Sequence, residues 1–133
     1  MSDSTLVVMV DEGRKFEPAR ALESLRNIPG ISAIRKRVGD CGEELLEARF
    51  SGDRDSRLVE LLPGQQSVAI HGSDRLALDF ALRFAAEYRK HSGQTLQTFN
   101  ANYSFHQLLS PDLDLALLMQ RIVDTPFSGA PSE

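Results

Sequence analysis

The stretch Gln97-Thr98-Phe99-Asn100-Ala101-Asn102-Tyr103-Ser104-Phe105-His106 alternates apolar and polar side chains with a period of two. Phe99, Ala101, Tyr103 and Phe105 fall on one side, and Thr98, Asn100, Asn102, Ser104 and His106 on the other. That period belongs to a strand with one face buried and one solvated, and it is the strongest strand signal in the chain. A strand of this kind needs an apolar layer to lie against. The preceding segment supplies one: Leu76, Phe80, Phe84 and Tyr88 recur every four residues with Ala77, Ala81 and Ala85 beside them, the broad stripe of a helix spanning about 74–90. Ser73 and Asp74 suit its start, and Arg89, Lys90, His91 and then Gly93 suit its end. Arg75, Asp79, Arg83 and Glu87 form a solvated stripe of alternating sign on its far side.

Working outward from this pair, Thr5-Leu6-Val7-Val8-Met9-Val10 is a nearly continuous apolar run ended by Asp11-Glu12-Gly13, which predicts a central strand buried on both faces. Pro18 opens a helix whose stripe is Ala21, Leu22, Leu25 and Ile28, and Pro29-Gly30 stops it. A strand over 31–38 follows, with Arg35 and Arg37 on its exposed face, then a turn at 39–42. Leu46, Ala48 and Phe50 alternate with Leu45, Glu47 and Arg49 in a half-solvated antiparallel strand. Turns at 51–55 and at Pro63-Gly64 bound two more short strands, over 57–62 and 67–71. Ser110-Pro111 announces a last helix over 112–123. Residues 125–133 lack periodicity and read as a flexible tail after a single domain over 1–124.

The predicted order is β-α-β-β-β-β-α-β-α. Helices covering one face of a mainly antiparallel sheet are the economical α+β solution. The order accommodates a ferredoxin-like, split β-α-β arrangement with an inserted hairpin and an extra C-terminal helix.

Composition narrows the function classes. The chain has 133 residues, a formal net charge of −4 and one cysteine. This length buries a sizeable core without disulfide or metal, and the lone Cys41 favours a reducing compartment. No secretory signal pattern or apolar run of membrane-spanning length occurs, so the expected location is cytoplasmic and no membrane partner is expected. Lys15, Lys36 and Lys90 are the only lysines among 15 basic residues, so twelve are arginine. An acidic chain does not favour nucleic acid, and the run Arg35-Lys36-Arg37 cannot place all its cations on one strand face.

Catalytic patterns are missing from the sequence. Cys41 sits beside Asp40, Glu43 and Glu44, which disfavour a thiolate. His71 and His106 show no metal-ligand spacing, Gly39 to Gly42 is not a phosphate loop, and Asp112 and Asp114 lie too close in sequence to share a helix face. No cofactor, metal or catalytic residue is therefore expected. The favoured reading is a non-enzymatic protein-binding module, of immunity or adaptor type, that engages a basic partner by charge attraction. Its candidate contact residues are Asn100, Asn102, Ser104 and His106, with Arg35 and Arg37. The alternative is a small-molecule site or modest enzyme assembled from Cys41, His71, His106 and carboxylates in a cleft. A homodimer is a third expectation, because Leu113, Leu117, Leu118, Ile122 and Val123 spread around the last helix.

Overall fold

The strand β1 (Thr5–Met9) alternates: Leu6 and Val8 are wholly buried, whereas Thr5, Val7 and Met9 are half-buried. This corrects the expectation of burial on both faces, because helices cover only one side of the sheet. The structure is a computed structural model that describes residues 5–10, 14–52, 54–72, 75–100 and 106–124. After β1 come α1 (Pro18–Arg26), β2 (Ile31–Val38), β3 (Glu44–Ser51), β4 (Ser56–Leu61), β5 (Ser67–His71), α2 (Arg75–Ser92), β6 (Leu96–Asn100), β7 (His106–Leu109) and α3 (Leu115–Asp124). Among the described residues the strands form one sheet in the order β2-β3-β4-β5-β1-β6-β7, and its six ladders are all antiparallel.

The fold is therefore α+β with an antiparallel sheet and three helices, with seven strands where the four of a ferredoxin-like unit plus a hairpin would give six. The additional strand comes from the stretch quoted first. The alternating segment does not run straight from Gln97 to His106. The chain reverses between Asn100 and His106, and β6 and β7 pair as a hairpin from Leu96↔Leu109 to Phe99↔His106. Alternation survives a reversal when both arms lie in the same sheet, so the pattern could not reveal the turn. The asparagines at positions 100 and 102 were the available signal, since this residue type favours turns. Ala101, Asn102, Tyr103, Ser104 and Phe105 lie outside the described residues, as do Ser73, Asp74 and the tail over 125–133.

The apolar layer between sheet and helices is formed as the periodicities require. From the sheet come Leu6, Val8, Leu46, Ala48, Phe50, Val59, Leu61, Val68 and Ile70, and from α2 come Ala77, Phe80, Ala81, Phe84, Ala85 and Tyr88. Along α2 the rings of Phe80, Phe84 and Tyr88 stack at 5.6 and 5.9 Å between centroids, and Phe50 of β3 meets Phe80 at 5.5 Å. Such aromatic pairs contribute about 0.5–1.5 kcal/mol each beyond the area they bury. α1 and α3 pack on α2, and α2 packs on β1, β5, β6 and β7. Gly93, with φ +75°, ends α2 and donates its N–H to the Arg89 carbonyl at 2.8 Å. On the outer stripe Asp79 pairs with Arg83 at 3.1 Å, but Glu87 takes Lys90 instead of a stripe neighbour, at 3.2 Å.

Tyr88 also ties α2 to the start of α1. Its hydroxyl accepts the Glu17 backbone N–H at 3.0 Å, and its ring meets Phe16 edge-on at 5.0 Å. Burial raises the Tyr88 phenol pKa above its ordinary value, against the lowering effect of that hydrogen bond. Glu17 is the N-cap residue of α1 and makes no side-chain cap, so α1 is anchored by packing and by this phenol.

The last helix begins later than Pro111. Leu113 donates to the Ser110 carbonyl in a turn at 3.1 Å, and α3 starts at Leu115 with Asp114 accepting the Leu117 N–H at 2.8 Å. Asp114 is thus the N-cap, because a short carboxylate satisfies an otherwise orphaned N–H where a proline cannot. Leu113 and Leu118 are buried in the chain's own core and Leu117 packs against it, so these three spend their apolar surface internally. The side chains of Ile122 and Val123 lie outside the described set. No helix among the described residues is long and apolar enough to cross a membrane.

Candidate binding face

Side chains in one transverse row of a sheet share a face, since neighbours across each ladder point the same way. The registers give one row that crosses every strand. Arg35 pairs with Glu47, Glu47 with Glu60, Glu60 with Ala69, Ala69 with Val7, Val7 with Phe99 and Phe99 with His106. Leu6 and Val8, one residue to either side of Val7, point at the helices, so this row lies on the face the helices leave open.

The open face has two halves of different chemistry. Over β2, β3 and β4 it carries Arg35, Arg37, Glu47, Glu60 and Arg49. Arg37 Nη1 meets Glu47 Oε1 at 2.8 Å, and Arg49 Nη2 donates to Ser56 Oγ at 2.8 Å. Over β5, β1, β6 and β7 it carries Ala69 and Phe99, both buried, Val7 and Met9, both half-buried, and Leu108, 52% exposed. Thr98 points the other way, is fully buried, and donates its hydroxyl to the Val7 carbonyl at 2.8 Å, which ties β6 to β1.

The residues expected to contact a partner are distributed as follows. Arg35 and Arg37 are exposed on β2, an edge strand, and Lys36, exposed on the opposite face, pairs with Glu44 at 3.7 Å. A register shift between Ser32 and Arg35, with Ala33 at φ 54°, bulges this edge. Bulges and edge cations both hinder unwanted strand pairing. His106 is exposed on β7, at the far edge and in the row of Arg35. Six strand spacings separate those edges, roughly 29 Å. Asn100 falls in the adjacent row, opposite Leu6, and does not share the row of His106. Asn102 and Ser104 lie outside the described residues. His106 thus does not continue the row of Asn100, because β6 and β7 pair as a hairpin. His106 Nε2 contacts Gln97 Oε1, a neighbour from the same face of β6.

Cys41, His71 and His106 do not come together. Cys41 is an exposed, free thiol in the β2–β3 turn, where its N–H donates to Glu43 Oε1 at 3.0 Å. His71 closes β5 at the other end of the sheet, level with Thr5, with Nε2 3.9 Å from Glu60 Oε1. His106 lies three strand spacings from β5, about 14 Å away. Among the described residues no three His, Cys, Asp or Glu side chains gather as a metal site would require.

Two features of the face escaped sequence reasoning. Glu47 and Glu60 stand directly opposite each other across the β3–β4 ladder, a relation set by register and invisible in either strand alone. Beside them a cleft of about 470 Å³ opens at the β2–β3 turn, lined by Leu45, Glu47, Glu60, Leu62 and Pro63 with Arg37. Comparison of the chain with protein-family models, curated proteins and solved structures finds no match.

Proposed function

We propose that this chain is a non-enzymatic, cytoplasmic protein-binding module, of immunity or adaptor type, that presents the open face of its sheet to a basic protein partner. The observation that carries the reading is the transverse row Arg35, Glu47, Glu60, Ala69, Val7, Phe99 and His106, charged in one half and largely apolar in the other. Protein interfaces join a desolvated apolar centre to a polar margin, and a helix-backed sheet holds such a surface in place at little entropic cost on binding. The net charge of −4 supports attraction of a cationic partner over distances beyond contact. The order β6-β1-β5-β4, with α2 joining β5 to β6 across β1, supports a ferredoxin-like core carrying β2 and β3 as its inserted hairpin and α3 as its extra helix.

The test is capture from native lysate at low and at moderate salt, with the wild type, Leu108→Glu and Arg83→Ala. Leu108 lies on the open face, whereas Arg83 lies on the outer stripe of α2. A stoichiometric basic partner is expected with the wild type and with Arg83→Ala, and its loss is expected with Leu108→Glu. No stoichiometric partner at either salt, or a partner that ignores Leu108 and depends on Arg83, would sink the proposal.

A further inference from the structure

The ladder between β3 and β4 runs only from Glu47↔Glu60 to Ser51↔Ser56. Yet β3 stays paired with β2 as far as Val38↔Glu44, and β4 stays paired with β5 as far as Leu61↔Val68. The two strands therefore part beyond Glu47 and Glu60. Gln65 spans the opening, its Nε2 donating to the Glu44 carbonyl at 2.8 Å. The cleft of about 470 Å³ occupies this fork. Leu45 lines it from β3, Leu62 and Pro63 from the end of β4, and the two glutamates stand where the strands rejoin.

Directly opposed side chains in an antiparallel pair have Cβ atoms about 5 Å apart, and like charges so placed repel. Glu47 is matched by Arg37 at 2.8 Å. Among the described residues no arginine or lysine is paired with Glu60, whose basic neighbour is the His71 imidazole at 3.9 Å, beyond hydrogen-bond reach. Both carboxylates are withdrawn from solvent, with side chains 20% and 32% exposed, so a cation brought between them is only partly screened by water. Asp40 and Glu43 add negative charge at the mouth, and Val38, 78% exposed beside it, adds apolar surface.

We propose that this fork receives an arginine side chain of the protein partner. The alkyl stem lies along Leu45 and Leu62, and the guanidinium donates to Glu60 and Glu47 together. A planar group with five donors fits two facing carboxylates, whereas an ammonium acts as a point charge and meets them with less geometric match. The inference rests on the protein-binding reading above and specifies which partner group that reading requires.

The test titrates the isotopically labelled full chain with an acetylated, amidated Gly-Arg-Gly tripeptide and follows backbone amides by NMR. The same peptide with lysine, or with citrulline, the neutral isostere of arginine, serves as comparison. Saturable shifts are expected at Leu45, Glu47, Glu60 and Leu62, weaker with lysine and absent with citrulline. Glu60→Gln, which preserves shape, weakens the arginine peptide about tenfold, the equivalent of one lost charge-assisted hydrogen bond. Glu87→Gln on α2 leaves binding unchanged. Equal responses to arginine and citrulline, shifts scattered over acidic residues outside the fork, or no saturable response would overturn the assignment. If the tripeptide fails while lysate capture still depends on Leu108, the fork is wrong and the binding module stands. If capture itself fails, the module reading falls first.

Discussion

Replacing Tyr88 with phenylalanine removes one oxygen from the contact between α1 and α2 and leaves the ring in place. Tyr88 is 1% exposed, and its hydroxyl is the acceptor for the Glu17 N–H at 3.0 Å. The ring contacts with Phe16 and Phe84, at 5.0 and 5.9 Å, survive the change. The expected cost is therefore that of stranding a part-buried N–H, about 1–2 kcal/mol. For a chain of this size that corresponds to a Tm lower by about 3–5 °C per kcal/mol. Urea denaturation should give a lower midpoint with an unchanged slope.

The same residue adds a pH dependence of defined sign. Burial raises the phenol pKa in the folded state, so at alkaline pH the unfolded chain loses this proton first. Tyr88 thus contributes its full stability below the unfolded value of about 10 and loses it as pH rises beyond, at up to about 1.4 kcal/mol per pH unit. Phenylalanine cannot ionise, so the stability gap between wild type and Tyr88→Phe should be constant from neutral to about pH 9 and narrow above about pH 10. Denaturant melts at stepped pH measure that gap. A gap that stays constant through the alkaline range, or a variant as stable as wild type at neutral pH, would show that the Tyr88 hydroxyl has neither role.

Gly30 has φ +95°, and a Cβ there would stand 2.8 Å from the Ser51 carbonyl oxygen. Gly30→Ala should therefore cost roughly 1–3 kcal/mol in urea melts. Ala33 holds φ 54° in the β2 bulge, so Ala33→Gly should cost little or raise the melting temperature slightly, since the strain relieved offsets the added freedom of the unfolded chain. Asp114→Ala should destabilise by about 0.5–2 kcal/mol through loss of the α3 cap, whereas the exposed Asp112→Ala should stay within about 0.5 kcal/mol of wild type. Equal effects at 112 and 114 in thermal melts would show that position 114 does not cap the helix.

Much of the architecture is legible in the chain itself. The four-residue stripe of Phe80, Phe84 and Tyr88 and the alternation of Leu46, Ala48 and Phe50 fix which side chains turn inward, because one buried face is enough to impose the helical or the pleated period. Arg35 and Arg37 are exposed for a different reason: β2 is an edge strand solvated on both faces from Arg35 to Val38. Local chemistry also marks boundaries, as Gly93 and Pro29-Gly30 do, although Asp114 and not Pro111 opens the last helix.

What the chain alone does not decide is adjacency. Periodicity says which face a residue occupies but not which strand lies beside it, so the reversal between β6 and β7 and the seven-strand order stay hidden in a pattern that both arms satisfy. The facing of Glu47 by Glu60 arises from register between strands joined by a turn, and the fork beside them arises where that pairing stops. Those relations depend on which residues pair across each ladder and where the pairing stops, and only the folded chain brings them into existence.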